Sequence, residues 1–577
     1  MIDSRPAAPE NSANPAASPN QPSRRENALW VLVATVFGAV GVLYFYRVFF
    51  SSGFARLQGD AGDGALTFGL TRHWLYVPGS ELPWTQLGNF YPAPNTLGYS
   101  DTMLLTGLLA APGALVGVAS TYQVQVALIL MSAIGYGFAV TFLRTIARGP
   151  WPISIIVAGI FTFGSGVFAA SVHSQLITLQ LLPVPAVLLA FAVRSNVAWK
   201  SRVWGLAAGL MFGAILFSAF YIGWFAMFGL SLTAIIWWLL RRLAGDSPFS
   251  VRGFLTGAWP PALGFAIMLV PFALTYLPVL KQGTGRTSDV LNRYALTPGQ
   301  LLTVGQDNVL WGRILDVPKL SDGAGEVTGF TPTPFLLVTV VCLAIWALLR
   351  LSRLSRFGSL GLACVSVGLL LWVIPVRFGE SFPGGALIAA MPGGTALRAI
   401  SRIELMAVAL LVTALALLLI EWAGNRDKPV DRKRLGIAIA ICAVIAAEQV
   451  NLQAQQRLPV ARINYLNAVP AAPQECDSFA ITTFVPEEFS ENMRSRRKAR
   501  SQTDAWLVAQ RLGIPTWNGR SAINPAGWGL KDPEDPGYKQ AATDWAQTNG
   551  LKNGCGLSLV DRTWLNPEEF KAWLGSN

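Results

Sequence analysis

Charged residues are scarce in this chain of 577 residues: only 13% are Asp, Glu, Lys or Arg, whereas 52% are hydrophobic. The mean hydropathy is +0.44. A soluble domain of this length seldom carries so little charge, but a protein that crosses a membrane many times commonly does. The formal net charge of +12 therefore does not indicate nucleic-acid binding. We expect these Lys and Arg residues to lie largely in cytoplasmic loops, next to anionic lipid headgroups.

Histidine and cysteine are also rare, with two and five residues respectively. Two scattered histidines form no cluster with metal-ligand spacing. The chain has no Gly-x-x-x-x-Gly-Lys loop and no strand followed by Gly-x-Gly-x-x-Gly, so no nucleotide pocket is indicated. Three cysteines lie singly in apolar runs and are interpreted as packing residues; they are Cys342, Cys364 and Cys442.

The remaining cysteines, Cys476 and Cys555, are the only two in the polar C-terminal region. In an oxidising compartment they are predicted to form a disulfide. That bond would close a loop of roughly 80 residues and contribute about 4 kcal/mol in the chain-entropy description. Two free thiols in a cytoplasmic domain are the alternative.

Apolar runs of membrane-spanning length fill most of the chain between Trp30 and Val450. The pattern predicts an all-α polytopic membrane protein with about eleven to thirteen transmembrane helices, each near the roughly 20 residues that a bilayer requires. We place these helices near residues 28–50, 122–143, 151–171, 174–193, 203–218, 219–240, 256–280, 333–350, 357–375, 403–422 and 434–451.

Arg and Lys gather in every second loop between these runs. Since short basic loops remain in the cytoplasm, the alternate loops, which include residues 51–100 and 281–330, are predicted to lie outside. The basic clusters are Arg24 and Arg25, Arg144 and Arg148, Arg194 to Arg202, Arg241 to Arg252, Arg350 to Arg356, and Arg426 to Arg434.

The same alternation predicts the domain organisation and the location of each part. Residues 1–27, rich in Pro, Ala, Ser and Asn, are predicted to form a disordered cytoplasmic tail. Residues 28–451 form the membrane domain. Residues 452–577 alternate β-like and amphipathic helical runs, which predicts a small α/β domain. We expect this domain on the periplasmic side of a bacterial inner membrane.

Segment 101–119 decides this topology. If it crossed the membrane completely, every later basic cluster would lie outside. Its interior Pro112 and its glycines favour an incomplete crossing. We therefore predict a re-entrant or broken helix here.

The first exterior loop carries the clearest candidate for acid–base chemistry. Asp60 and Asp63 stand in the sequence Gly-Asp-Ala-Gly-Asp-Gly, directly before a predicted helix over residues 65–76. A carboxylate at the membrane surface can serve as the general base for an acceptor hydroxyl. Two other interpretations remain open: Asp63 is a suitable N-cap for the helix, and Asp60 is simply solvated.

Three further exterior segments carry candidate binding residues. His173, Gln175 and Gln180 belong to a polar run at the start of a span, and polar groups at membrane depth usually face a cavity. Arg398 and Arg402 are expected one turn apart on one helix face, where they suit a phosphate; helix-end anchoring is the alternative. Residues 515–528 contain two Trp and two Asn, which predicts either a sugar-stacking surface or a loop with its Trp side chains packed inward.

Four segments together resemble the signature regions of bacterial membrane proteins grouped with the GT-C glycosyltransferases. They are Gly-Asp-x-x-Asp after the first span, Phe90 to Asp101 (FYPAPNTLGYSD), His173 to Gln180 (HSQLITLQ) and Leu397 to Arg402 (LRAISR).

The resemblance implies an inverting enzyme with a polyprenyl-phosphate sugar as donor and an envelope glycan or lipid as acceptor. The base would be Asp63 or Asp60. The family often has two adjacent acids, whereas these two lie three positions apart, so the motif does not indicate which of them is the base. Substrate and phosphate binding would fall to Arg398, Arg402, His173, Gln175, Gln180, Tyr99 and Asp101.

This chemistry requires few groups. A polyprenyl phosphate leaves as a stable anion, so one base and cationic stabilisation of the phosphate suffice. No organic cofactor is indicated, and an Asp-x-x-Asp pair can hold a divalent cation at a diphosphate. Two other functions fit the same residues: a transporter or flippase for lipid-linked saccharides, and a non-catalytic protein that binds envelope glycan.

Overall fold

The computed structural model describes most of the chain, including all but one residue of the first exterior loop. The predicted tail lies outside the described residues except at its end, where a helix already begins at Arg24. The described residues are 23–60, 62–246, 251–282, 288–305, 307–315, 329–424, 430–452, 457–486 and 494–576.

Within the described residues, nine helices are long and apolar enough to cross a membrane. The first of them starts four residues earlier than predicted, because Ser23 and Glu26 cap its N-terminus reciprocally. The nine are Arg24–Phe45, Ser120–Ile146, Trp151–Ala170, Ser174–Arg194, Ala198–Ser218, Phe220–Leu243, Gly257–Leu280, Arg356–Val373 and Ile400–Ala423.

Two further helices coincide with the remaining predicted spans, namely Pro334–Leu348 and Arg432–Glu448. The buried carboxylate of Glu448 joins them, because it accepts hydrogen bonds from the backbone N–H groups of Phe335 and Leu336 at 2.8 and 3.2 Å. The all-α polytopic class predicted from the sequence is thus confirmed.

Several of these spans are interrupted. The span Ser120–Ile146 ends in a π-helical turn, Phe142–Ile146. The span Trp151–Ala170 consists of two helices, Trp151–Phe163 and Ser165–Ala170. The predicted helix from residue 174 begins instead as a 3₁₀-helix, Ser174–Leu181, and becomes α-helical only at Pro183–Arg194.

The segment of uncertain crossing forms a short helix, Leu104–Leu115, with Pro112 inside it. Twelve residues span about 18 Å, short of the roughly 30 Å hydrocarbon core. The next helix starts at Ser120, and the hydroxyl of Thr121 in its first turn lies 3.4 Å from the side-chain oxygen of Asn464 in the C-terminal domain. This geometry agrees with an incomplete crossing.

In its described residues, the C-terminal domain contains a three-stranded sheet and four helices. Strands β3 (Ser478–Ile481) and β4 (Gly554–Ser558) are parallel, and β5 (Thr563–Leu565) pairs antiparallel with β4. The predicted Cys476–Cys555 disulfide is present. The helices are Val460–Asn467, Arg494–Leu512, Tyr538–Asn549 and Pro567–Gly575.

This domain is hydrogen-bonded to residues 51–100 at two places. Strand β1 (Arg56–Leu57) pairs with β2 (Leu458–Pro459). Further along, the amide of Tyr91 donates to the carbonyl of Thr516 at 2.9 Å. The fully buried Trp506 donates from Nε1 to the carbonyl of Leu87 at 2.8 Å. The loop and the domain therefore hold one another in place.

The shorter elements between the spans complete the fold. The described α-helices among them are Arg47–Ser51, Asp63–Tyr76, Ser288–Arg293, Gly312–Leu315 and Pro383–Ala390. The described 3₁₀-helices outside the spans are Val77–Gly79, Thr96–Tyr99, Pro298–Leu302, Leu351–Arg353 and Gly394–Ala396, with Ile400–Arg402 leading into Ile403–Ala423.

We predict that residues 452–577 lie outside the cytoplasm. Alkaline phosphatase fused after residue 470 is expected to be active, whereas the same reporter fused after residue 196, between two basic helix ends, is expected to be inactive. Activity in the reverse pattern would contradict the predicted topology.

Candidate active site

The first exterior loop folds back on itself at two glycines. Gly59 has φ +89°, and a Cβ on Gly64 would lie 2.6 Å from the carbonyl carbon of Gly59. Only glycines permit this approach. The turn places Asp60 beside the start of helix Asp63–Tyr76, where its Oδ1 accepts from the amides of Gly62, Asp63 and Gly64.

Asp60 is thus the residue that caps this helix, and the N-cap role suggested for Asp63 is wrong. Asp63 is the first helical residue and its carboxylate is left for other contacts. Asp60 does not line the cavity described below. Its contacts with backbone amides favour Asp63 as the candidate base.

The carboxylate of Asp63 lies between two basic side chains. Nη2 of Arg520 is 3.0 Å from Oδ1, and Nδ1 of His173 is 2.9 Å from Oδ2. Each oxygen of Asp63 therefore has one basic neighbour.

These neighbours control the protonation of Asp63. Burial acts to raise the pKa of its carboxyl group, but contact with His173 and the charges of His173, Arg520 and Arg402 outweigh it. The pKa therefore lies well below its ordinary value, and Asp63 is ionised at neutral pH.

Asp63 opens onto a cavity of about 760 Å³. Three arginines and two carboxylates are the charged residues that line it in the described part of the chain: Arg398, Arg402, Arg520, Asp63 and Asp101. One wall is apolar and is formed largely by helix Val251–Leu280.

The cavity lies at the helix ends opposite the basic loops. It is lined where Ala198–Ser218 ends and where Phe220–Leu243 begins, and both helices carry their Arg and Lys residues at the other end. If the basic ends are cytoplasmic, as predicted, the cavity opens near the outer surface of the membrane.

Arg398 and Arg402 both line the cavity, but not from one helix face as predicted. The α-helix begins only at Ile403; Arg402 ends a 3₁₀-turn and Arg398 lies in the preceding bend. The amide of Arg398 donates to the hydroxyl of Tyr221 at 2.6 Å, and the Arg402 guanidinium lies 5.1 Å from the centre of the same ring. Tyr221 therefore positions both residues.

Asp101 and Tyr99 contribute from the segment before helix Leu104–Leu115. Oδ1 of Asp101 accepts from the amide of Phe220 at 2.8 Å, at the start of a transmembrane helix. Burial raises the pKa of Asp101, while this hydrogen bond and the charge of Arg402 oppose the shift. Burial likewise raises the pKa of Tyr99, whose hydroxyl bonds to Gln282.

The polar residues from His173 to Gln180 do not all lie in the same environment. Gln175 lines the cavity, and His173 contacts Asp63. Gln180 does not reach the cavity: its Oε1 accepts from Ser132 at 2.7 Å and its Nε2 donates to the carbonyl of Thr162 at 2.6 Å. These bonds connect three helical segments. The predicted role of Gln180 in substrate binding is therefore corrected to a structural role.

We predict that Gln180→Ala lowers the stability of the purified protein by about 1–3 kcal/mol, because the carbonyl of Thr162 and the hydroxyl of Ser132 each lose a buried hydrogen-bond partner. Its binding of a polyprenyl phosphate should remain within about twofold of wild type at a temperature where the variant is folded. A large selective loss of lipid binding would return Gln180 to the site.

Arg520 is a site residue that the sequence did not indicate. It belongs to residues 515–528, the segment predicted either to stack on sugars or to pack its two Trp side chains inward. Trp517 and Trp528 are packed inward, 2% and 8% exposed. They anchor the loop, and residues 520–523 between them face the cavity.

Among the described residues, no three His, Cys, Asp or Glu side chains form a metal-binding group. Of the Asp60 and Asp63 pair, Oδ1 of Asp60 accepts backbone amides and the carboxylate of Asp63 contacts two basic residues.

Neither a protein-family model nor a curated protein sequence matches the chain. Solved structures do. The arabinofuranosyltransferase AftD from Mycobacteria is 14% identical with a TM-score of 0.50, and the match covers 95% of this chain but only 36% of AftD. The chain has the GT-C fold.

Two other similar structures have lower TM-scores. The oligosaccharyltransferase of Archaeoglobus fulgidus is 10% identical, with a TM-score of 0.44 over 92% of this chain and 70% of its own. ArnT from Cupriavidus metallidurans is 13% identical, with a TM-score of 0.35 over 92% of both chains. The fold expected from the resemblance is confirmed by AftD, and the activity is a separate question.

Proposed function

We propose that this protein is a membrane glycosyltransferase that moves a sugar from a polyprenyl-phosphate donor to an envelope glycan or lipid on the outer side of a bacterial inner membrane. The observation that carries the proposal is the placement of Asp63, ionised and 29% exposed, in one cavity with Arg398, Arg402 and Arg520.

In the proposed reaction the acceptor oxygen forms a bond to the anomeric carbon while the bond from that carbon to the phosphate oxygen breaks. The electron pair leaves with the phosphate, and Asp63 takes the acceptor proton. A single displacement inverts the anomeric centre. The arginines stabilise the charge that grows on the leaving phosphate.

The apolar wall supports a lipid donor. Phe265, Leu269, Phe272 and Leu280 line it, and Leu269 and Leu280 are 38% and 53% exposed. Exposed apolar side chains of this kind favour contact with a lipid chain over contact with water. A prenyl chain can lie along this wall while its phosphate reaches the arginines.

Purified protein in lipid nanodiscs tests the proposal directly. It should transfer radiolabelled sugar from at least one polyprenyl-phosphate sugar, hexosyl or pentosyl, to envelope glycan or lipid extract. The product linkage should have the anomeric configuration opposite to that of the donor. Retention of configuration would contradict the single displacement.

Proteoliposomes separate this function from its main competitor. If labelled lipid-linked sugar crosses the bilayer in a protein-dependent manner while no transfer occurs with any donor, the protein is a transporter and the proposal fails. Binding of glycan without transfer or translocation would favour the non-catalytic function instead.

A further inference from the structure

The ion pair between Arg520 and Asp63 suggests a second role for the C-terminal domain, and this inference rests on the proposed function. We propose that Arg520 is a positioning residue that responds to the donor. Without donor it pairs with Oδ1 of Asp63, and the donor phosphate draws the guanidinium to itself and leaves Oδ1 to accept the proton.

The position of Arg520 is built by both domains. The amide of Phe90 donates to the carbonyl of Asn518 at 3.0 Å, two residues before Arg520, so the loop is fastened beside the site. A Cβ on Gly62 would lie 2.7 Å from Nη1 of Arg520. The guanidinium thus lies against the backbone of Gly62, in space that a larger residue would occupy.

The resting arrangement is unfavourable for a base. An arginine at 3.0 Å stabilises the carboxylate and occupies one approach to the oxygen that must accept a proton. Removal of that charge makes Asp63 more basic. In this arrangement Asp63 becomes a stronger base only when the donor phosphate is bound. Proton acceptance is then coupled to the presence of the donor.

The side chain can exchange partners. Arg520 is 29% exposed, and its long side chain begins at the cavity wall. Arg398 and Arg402 line the same cavity and would hold a phosphate there. A guanidinium forms charge-assisted hydrogen bonds of similar strength with carboxylate and phosphate, so a small change in geometry suffices to move it.

A double-mutant cycle on ligand binding tests this exchange without turnover. The probe is sugar-free polyprenyl phosphate, titrated against the full-length protein in nanodiscs. Arg520→Gln should weaken binding by at least about tenfold, as expected for a lost charge-assisted contact. Asp63→Asn should tighten binding by about fivefold or more, because it releases Arg520.

The double variant distinguishes release of Arg520 from simple repulsion between Asp63 and the phosphate. If Asp63 only repels the phosphate, its removal tightens binding equally in the Arg520→Gln background. The exchange instead requires that most of this gain disappears in Asp63→Asn/Arg520→Gln. Additive effects, or unchanged affinity in Arg520→Gln, would overturn the proposal.

Gly62→Ala provides a variant that changes no charge. Its new methyl group displaces the guanidinium from Asp63, so phosphate binding should tighten in the same direction as in Asp63→Asn. Weaker binding by folded Gly62→Ala would count against the exchange. Failure of the wild-type protein to bind polyprenyl phosphate would contradict the proposed function as well, whereas binding with an additive cycle contradicts only this inference.

Discussion

Asp63→Asn is expected to reduce the rate of sugar transfer by about a hundred- to ten-thousand-fold, the usual effect of removing a general base. Asparagine keeps the size and polarity of the side chain, but it cannot take the acceptor proton. The measurement is kcat with a saturating polyprenyl-phosphate sugar, together with the thermal stability of the purified variant.

Asp60→Asn is the matched control. Asp60 caps the helix that Asp63 begins, and asparagine caps a helix about as well as aspartate. We therefore expect Asp60→Asn to keep transfer within about threefold of wild type, since capping strength differs little. If Asp60→Asn alone abolished transfer, the base would be assigned to the wrong carboxylate.

Local sequence patterns explain why Asp63 could be predicted as a candidate base, whereas its partner Arg520 could not be predicted. A membrane span, a glycine-rich turn and an acidic residue are neighbours in sequence, and local patterns indicate them. Arg520 is 457 positions away from Asp63. No periodicity links two residues at that distance, and only the docking of the C-terminal domain brings them together.

Gln180 and the pair of Arg398 and Arg402 show what a local pattern does not reveal about a residue that it does indicate. A polar residue in an apolar run indicates that something polar lies nearby, but not whether it is a ligand or another buried side chain. Gln180 meets Ser132 and Thr162, whereas Gln175 faces the cavity. Likewise the spacing of Arg398 and Arg402 suggested a helix face, and the 3₁₀-turn before Ile403 could not be read from that spacing.

The disulfide was predictable for a different reason. Cys476 and Cys555 were the only cysteines in the polar region, so composition alone left one pairing there. Cys476 lies two residues before β3 and Cys555 lies within β4, and these two strands are side by side. The sheet register could not be derived in the same way, because short β-like runs do not reveal their partners.

Arg402→Gln is expected to lower kcat/KM for the donor by roughly 10- to 150-fold, the range for loss of a hydrogen bond to a charged group. Arg402 is only 4% exposed and lines the cavity. An arginine that merely anchors a helix end keeps its charged head in water, and Arg402 does not. Its charge also acts on both Asp63 and Asp101.

Arg402→Lys and Arg562→Gln make the test specific. Lysine keeps the charge but not the planar pair of donors, so Arg402→Lys should fall between wild type and Arg402→Gln. Arg562 lies over the ring of Tyr465 at 4.8 Å, much as Arg402 lies over Tyr221, but it does not line the cavity. Arg562→Gln should therefore leave donor use unchanged. Equal losses in Arg562→Gln and Arg402→Gln would mean that the arginine–tyrosine contact supports the fold, and that Arg402 has no special relation to the phosphate.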